Sequence, residues 1–171
     1  GAVLVLTFID PSAVAMTALD PPASVQYHTQ LKSTATVVLN GMPHPLEYGV
    51  VIIDDDGRVR QFQEKPSWGE VFSDTVNTGI YILEPKIFDY YEDEQVFDFS
   101  RQLFPILLEK NDHMFGYVAD GYWFDIGSIP NYMTASADSL LGTVDLPPLA
   151  TDIPPGSGFW GGADGRIDKD A

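Results

Sequence analysis

Tyr48-Gly-Val-Val-Ile-Ile-Asp-Asp-Asp-Gly-Arg-Val-Arg-Gln-Phe62 reads as two strands folded about a turn. Tyr48 to Ile53 and Arg58 to Phe62 are strand-like runs, and Asp-Gly between such runs is a strong hairpin signal. The second run alternates polar with apolar residues, as a half-solvated strand does. Upstream, Leu4 to Ile9 and the β-branched Ala35-Thr-Val-Val-Leu39 have the length and composition of buried strands. Downstream, Val76 to Leu83 is a further strand, ended by Pro85.

Helical signals follow. Asp98 or Ser100 can cap a helix over Arg101 to Lys110, with Pro105 acting as a first-turn proline or a kink. His113 to Ala119 and Gly121 to Asp125 read as short strands, and Ile129 to Leu141 as a helix stopped by Gly142. Strands alternating with helices, together with one hairpin, predict an α/β fold with a mixed sheet over residues 1–142. Residues 143–158 hold four prolines and two glycines and read as a linker. In residues 159–171, Arg166-Ile-Asp-Lys-Asp-Ala171 has the pattern of one rung of a hexapeptide β-helix, although Gly161 stands where an aliphatic is expected. A single rung is not stable alone, so this is read as the truncated start of such a domain.

Composition narrows the function classes. A chain of 171 residues fits one ordinary domain and the beginning of a second. The net charge of −16 speaks against a nucleic-acid surface, which needs clustered Lys and Arg. It leaves room for a phosphate-bearing small molecule, because one lysine and a divalent cation can supply positive charge locally. No apolar run approaches a membrane span. The sequence opens on no basic leader and contains no cysteine, which makes a reducing cytoplasm the expected setting. His28, His44 and His113 lack zinc-ligand spacing and are expected as packing or surface residues.

Three blocks place polar residues where strands should be apolar: Glu64-Lys-Pro66, Val76-Asn-Thr-Gly-Ile-Tyr81 and Tyr122-Trp-Phe-Asp-Ile-Gly127. Any one of them is most simply turn or edge chemistry. Three within about sixty residues, each in a strand or at its end, point to a ligand site, because ligands of α/β sheets sit at strand ends.

With His44-Pro-Leu-Glu-Tyr-Gly-Val-Val51, Phe62-Gln-Glu-Lys-Pro66 and Trp123-Phe-Asp-Ile-Gly127, these blocks stand in the order and spacing of a known family. The sequence resembles the nucleotide-sugar pyrophosphorylases, or sugar-1-phosphate nucleotidyltransferases, over roughly residues 7–142. Phe97-Asp-Phe-Ser-Arg-Gln-Leu-Phe-Pro105 and Gly116-Tyr-Val-Ala-Asp-Gly-Tyr122 bring it nearest to the mannose-1-phosphate guanylyltransferase branch, which also has a proline linker before a left-handed β-helix. The resemblance implies the sugar-binding half of a partial Rossmann-like nucleotidyltransferase domain. The glycine-rich nucleotide loop would belong to an N-terminal half that this sequence lacks.

The resemblance also implies roles. Lys65 would hold the sugar phosphate, Glu64 would accept hydrogen bonds from sugar hydroxyls, and Asn77 and Thr78 would contact the same sugar. Gly49 would let the backbone approach the ring. Lys65 and Asp125 would be the catalytic pair, with Asp125 one of two aspartates holding Mg2+. The partners implied are a sugar-1-phosphate, a nucleoside triphosphate, the N-terminal half and, at full length, further copies of the chain. An ungapped count back from Tyr27-His28 sets Val14 at the second metal aspartate, after Ala13 where glycine is usual, and Ala18 at a second common acidic position. Valine cannot ligate a hard cation. The expected function is GDP-mannose formation, with glucose-1-phosphate uridylyl-, cytidylyl- or thymidylyltransfer as the alternative within the class. Outside it stand a non-catalytic regulatory paralogue, which Val14 favours, and an acidic interaction module without a ligand, which the polar blocks disfavour.

Overall fold

The computed structural model describes residues 4–7, 15–43, 45, 48–64, 73–90 and 98–144, with backbone alone for 4–7 and 64. Eight strands are present among them: β1 (Leu4–Thr7), β2 (Ala15–Thr17), β3 (Ala35–Gly41), β4 (Gly49–Ile53), β5 (Val59–Glu64), β6 (Thr75–Leu83), β7 (Met114–Val118) and β8 (Trp123–Asp125). Three α-helices accompany them: α1 (Pro21–Leu31), α2 (Phe104–Glu109) and α3 (Ile129–Leu140). The chain divides into two compact units, Gly1–Asp10 with Leu19–Asp120 and Pro11–Ala18 with Gly121–Ala171.

The first unit is built on a mixed sheet of order β5-β4-β6-β3-β7, with β1 also paired to β6. Only β3 and β7 run parallel; the other pairs are antiparallel. This is the mixed α/β architecture expected. Alternation along β3 supplies both faces of the sheet. Ala35, Val37 and Leu39 join a core with Val51, Val59, Tyr81, Leu83, Phe104, Leu107 and Met114. Val38, from the other side of the same strand, packs with Ile82, Ala119 and Val25 of α1.

The hairpin β4–β5 forms on the Asp-Gly turn. Asp54 Oδ1 accepts from the backbone N–H of Asp56 (3.1 Å) and Arg58 (2.9 Å), and Gly57 takes the left-handed conformation at φ +78°. β4 pairs with β6 through Val50↔Val76, and the hairpin tip reaches β7. There Gly116 N–H donates to Gly57 O (2.8 Å), and the Arg58 guanidinium donates to Asn111 O (3.0 Å) and Oδ1 (2.8 Å).

Three elements differ from expectation; one is the short strand β2, a segment for which no strand is expected from the sequence. α1 has no counterpart in the sequence reading: Pro21 and Pro22 open it, at positions where no backbone N–H is needed, and Asp20 caps it by accepting from Ala23 N–H. The helix expected over Arg101 to Lys110 is two pieces. A π-helical turn, Phe99–Leu103, is capped by Asp98 accepting from Arg101 N–H (2.9 Å), and α2 follows with Pro105 in its first turn. Pro105 has no N–H to carry an i→i−4 ladder across the junction, so the preceding turn is free to widen.

The second unit contains the ladder β2–β8 and α3. Ser128 caps α3 by accepting from Asn131 N–H (3.3 Å). At the other end Gly142 lies at φ +73°; its N–H donates to Ser139 O (3.2 Å), and Thr143 N–H donates to Asp138 O (2.9 Å). The expected stop at Gly142 is thus a Schellman turn. Beyond Thr143 and Val144, the linker and the hexapeptide rung lie outside the described residues.

Candidate functional site

Strand register brings distant blocks of sequence together in the first unit. Across β4–β5, Gly49 pairs with Glu64 and Val50 with Gln63. Val50 also pairs with Val76, so one step along the antiparallel ladder sets Gly49 beside Asn77. Asn77 in turn pairs with Leu39. Glu64, Gly49 and Asn77 therefore form one row across three adjacent strands. Two strand spacings separate the outer backbones, about 10 Å, and the middle member carries no side chain. At the level of the backbone the row thus has a gap, or notch, one side chain wide at Gly49, between the positions of Glu64 and Asn77.

The Asn-Thr-Gly block owes its form to a bulge. Val37 pairs with Tyr81 and Leu39 with Asn77, so Val38 alone faces Thr78, Gly79 and Ile80. Gly79 absorbs the distortion at φ +80°, where a Cβ would be strained. Side chains close the bulge's own polar groups. Asn77 Oδ1 accepts from Gly79 N–H (3.0 Å), and the Thr78 hydroxyl donates to Val38 O (2.8 Å) and accepts from Ile80 N–H (3.3 Å). Thr78 is only 6% exposed. Asn77 is half-buried, and its Nδ2 donates to Tyr81 Oη (2.8 Å) and stands 3.5 Å from Ser100 Oγ.

The expected site residues thus separate. Gly49, Asn77, Thr78 and the backbone of Glu64 are brought together by register and bulge. Lys65, Val14 and the Glu64 side chain lie outside the described residues. Tyr81 and Ser100, absent from the sequence-based set, join the site through Asn77. Both stood inside the quoted blocks, but only a bulge and a π turn bring them to one side chain.

Asp125 belongs to the second unit. It ends β8, where it pairs with Ala15, the residue after Val14. Ala18, the other position expected to be acidic, extends the same ladder by donating to Tyr122 O (2.8 Å). Asp125 Oδ1 accepts from Gly127 N–H (2.8 Å), which fixes the carboxylate at the glycine turn. The Tyr122 hydroxyl donates to Asp138 Oδ2 (2.8 Å) and ties α3 to the segment that carries Asp125; its pKa is pushed up to about 12, by burial first and the Asp138 hydrogen bond second. Among the described residues, no three His, Cys, Asp or Glu cluster to hold a metal.

The family model for nucleotidyl transferases matches residues 6–141, and the chain belongs to that family. It is 37% identical over 131 residues to a UTP–glucose-1-phosphate uridylyltransferase of Synechocystis sp. (75% of this chain, 34% of the relative). It is 32% identical over 110 residues to the catalytic subunit beta of a mannose-1-phosphate guanylyltransferase of Drosophila pseudoobscura pseudoobscura (64% and 29%). The chain spans about a third of the length of these curated relatives. A Bacillus anthracis structure described as a glucose-1-phosphate thymidylyltransferase with sucrose shares the fold at TM-score 0.61 and 23% identity, over 84% of this chain and 54% of that one.

Proposed function

We propose that this chain is the sugar-1-phosphate-binding part of a sugar-1-phosphate nucleotidyltransferase. The observation that carries the reading is the row Glu64–Gly49–Asn77, in which strand register sets the positions of Glu64 and Asn77 on either side of a glycine. A sugar ring lies in the notch where a Cβ would obstruct it. Glu64 accepts from its hydroxyls, Asn77 donates to it, Thr78 holds the bulge that presents Asn77, and Lys65, the next residue in sequence after Glu64, neutralises the phosphate. In the reaction of the whole protein, a phosphate oxygen of the sugar-1-phosphate attacks the α-phosphorus of a nucleoside triphosphate. The bond to the bridging oxygen breaks and pyrophosphate leaves. The chain's own residues contribute position and charge neutralisation.

Asp125 fits magnesium as a single protein ligand, since this hard cation is commonly held by one or two carboxylates together with substrate phosphates. Its role when bound would be to neutralise phosphate charge. Valine at position 14, immediately before the residue that pairs with Asp125, supplies no second carboxylate. That supports a second reading, a paralogue that binds the sugar nucleotide without turning it over.

For the sugar, the resemblance in the sequence blocks favours mannose-1-phosphate with GTP, whereas the greater identity to the Synechocystis relative favours glucose-1-phosphate with UTP. The test is an NMR titration of the chain with each sugar phosphate, repeated on Lys65→Ala. A charge-assisted hydrogen bond is worth about 1.5–3 kcal/mol, so loss of Lys65 should weaken binding roughly ten- to a hundredfold. The tighter-bound sugar decides between the two substrates. Unchanged binding in folded Lys65→Ala would put the phosphate elsewhere and end this reading.

A further inference from the structure

We infer that Tyr81 is a positioning residue for sugar recognition: its hydroxyl fixes the Asn77 carboxamide in the one orientation that can donate into the notch. The inference rests on the reading of Asn77 as a sugar contact. An asparagine amide rotates easily about its last torsion, so an unheld Asn77 would present oxygen or nitrogen in turn. Two anchors remove that freedom. Gly79 N–H donates to Oδ1 (3.0 Å), and Nδ2 donates to Tyr81 Oη (2.8 Å). The oxygen is committed to the bulge. The amide nitrogen keeps a second hydrogen; among the described residues the other acceptor near it, Ser100 Oγ, is 3.5 Å away, at the outer limit of a hydrogen bond. A sugar hydroxyl can take this hydrogen with little lost.

The fold goes to some length to make the Tyr81 contact. Residues four apart in a regular strand share a face but lie about 13 Å apart, too far for a short side chain such as asparagine to bond its neighbour readily. The two additional residues of the bulge contract this distance. Tyr81 is itself immobilised: it is 5% exposed, and its ring packs against Phe99 (centroids 6.0 Å) and edge-on against Phe104 (5.1 Å). Phe99 and Phe104 flank the π turn that also carries Ser100. Phe99 and Phe104 therefore act through Tyr81: they hold the ring that holds the amide.

The experiment compares wild type, Tyr81→Phe, Asn77→Ala and the double variant, each titrated with glucose-1-phosphate, mannose-1-phosphate and inorganic phosphate. Tyr81→Phe keeps the ring packing, and thermal unfolding checks the fold. It should weaken sugar-phosphate binding roughly two- to tenfold, the worth of one neutral hydrogen bond. Inorganic phosphate, which needs no carboxamide, should bind unchanged, and Tyr81→Phe should add nothing in the Asn77→Ala background. Without ligand, the Asn77 side-chain amide resonances should shift in Tyr81→Phe. If Asn77→Ala weakens binding and Tyr81→Phe does not, or if both add independently, the positioning role is overturned and the subsite stands. If Asn77→Ala changes nothing, or wild type binds neither sugar phosphate, the subsite reading fails and takes the inference with it.

Discussion

Placing a methyl group at Gly116 should loosen the first unit from the far end of the β4–β5 hairpin. An ideal Cβ there would stand 2.6 Å from Leu39 Cδ1 and 2.7 Å from Ile53 Cγ2, well inside the ~3.5–4.0 Å of carbon contact. Neither neighbour yields cheaply. Leu39 is buried in the core and would have to leave its rotamer, and Ile53 is β-branched and stiff. The hairpin tip must therefore back away from β7, where Gly116 N–H donates to Gly57 O and Tyr27 Oη donates to Gly116 O (3.2 Å). Overpacking of this kind costs about 1–3 kcal/mol, offset by about 0.4–1 kcal/mol from the stiffer unfolded chain. A net loss of about 1–2 kcal/mol lowers Tm by roughly 2–8 °C for a chain of this size. The same hairpin carries Gly49 and Glu64 at its open end, so sugar-phosphate affinity should fall with stability. Thermal unfolding of Gly116→Ala followed by circular dichroism measures the first effect, and the titration above the second. Ile53→Ala removes one clashing methyl, so its own cost should be smaller in the Gly116→Ala background than in wild type. An unchanged or raised Tm in Gly116→Ala would refute the reasoning.

Acid should weaken the packing of α1. His28 is 1% exposed, with Nδ1 2.9 Å from Thr36 Oγ1 and Nε2 3.4 Å from Glu84 Oε1. Burial lowers its pKa, partly opposed by Glu84, so the folded state prefers the neutral ring. The unfolded chain takes up a proton first; this contribution is complete above pH ~6.5 and is lost as pH falls toward the depressed folded value. Denaturant unfolding from pH 7.5 to 5 should show a steeper loss in wild type than in His28→Gln, and equal slopes would contradict it. The exposed apolar residues of α3, Ile129, Tyr132, Met133 and Leu140, fall on one side of the helix at i, i+3, i+4 and i+11. Sedimentation should show concentration-dependent self-association that Met133→Glu reduces; a clean wild-type monomer at high concentration would count against it.

Most of the strands and the polar blocks were legible in the sequence for one reason: their chemistry is local. The Asp-Gly turn, the β-branched run at Ala35–Leu39 and the stop at Gly142 each follow from what the residues do to their own backbone, and each is found in place. The polar blocks stood out because strands rarely tolerate an amide and a hydroxyl in succession. Other features needed partners that sequence does not display. α1 opens on two prolines, and nothing local distinguishes a helical first turn from a loop at Asp20-Pro-Pro22. Phe99 and Phe104, at the two ends of the π turn, pack on Tyr81, a contact between segments about twenty residues apart.

The Asn-Thr-Gly block shows how one residue type can carry two readings at once. From sequence, Asn77 and Thr78 stand together as sugar contacts. In the fold, the Thr78 hydroxyl and Asn77 Oδ1 are committed to backbone groups of the bulge, while Asn77 Nδ2 turns toward Tyr81 and Ser100. In the proposed subsite the bulge is thus the support and the carboxamide the working group. Glycine is needed at 79 for the left-handed backbone, and at 49 the proposed subsite needs it for the notch. Substitution at Gly79 should therefore disturb folding and binding strongly together, whereas Tyr81→Phe, which keeps the ring packing, should cost stability no more than about the 0.5–1.5 kcal/mol of one hydrogen bond while weakening sugar-phosphate binding. That separation distinguishes a site built into the sheet from a polar bulge that merely closes its own hydrogen bonds.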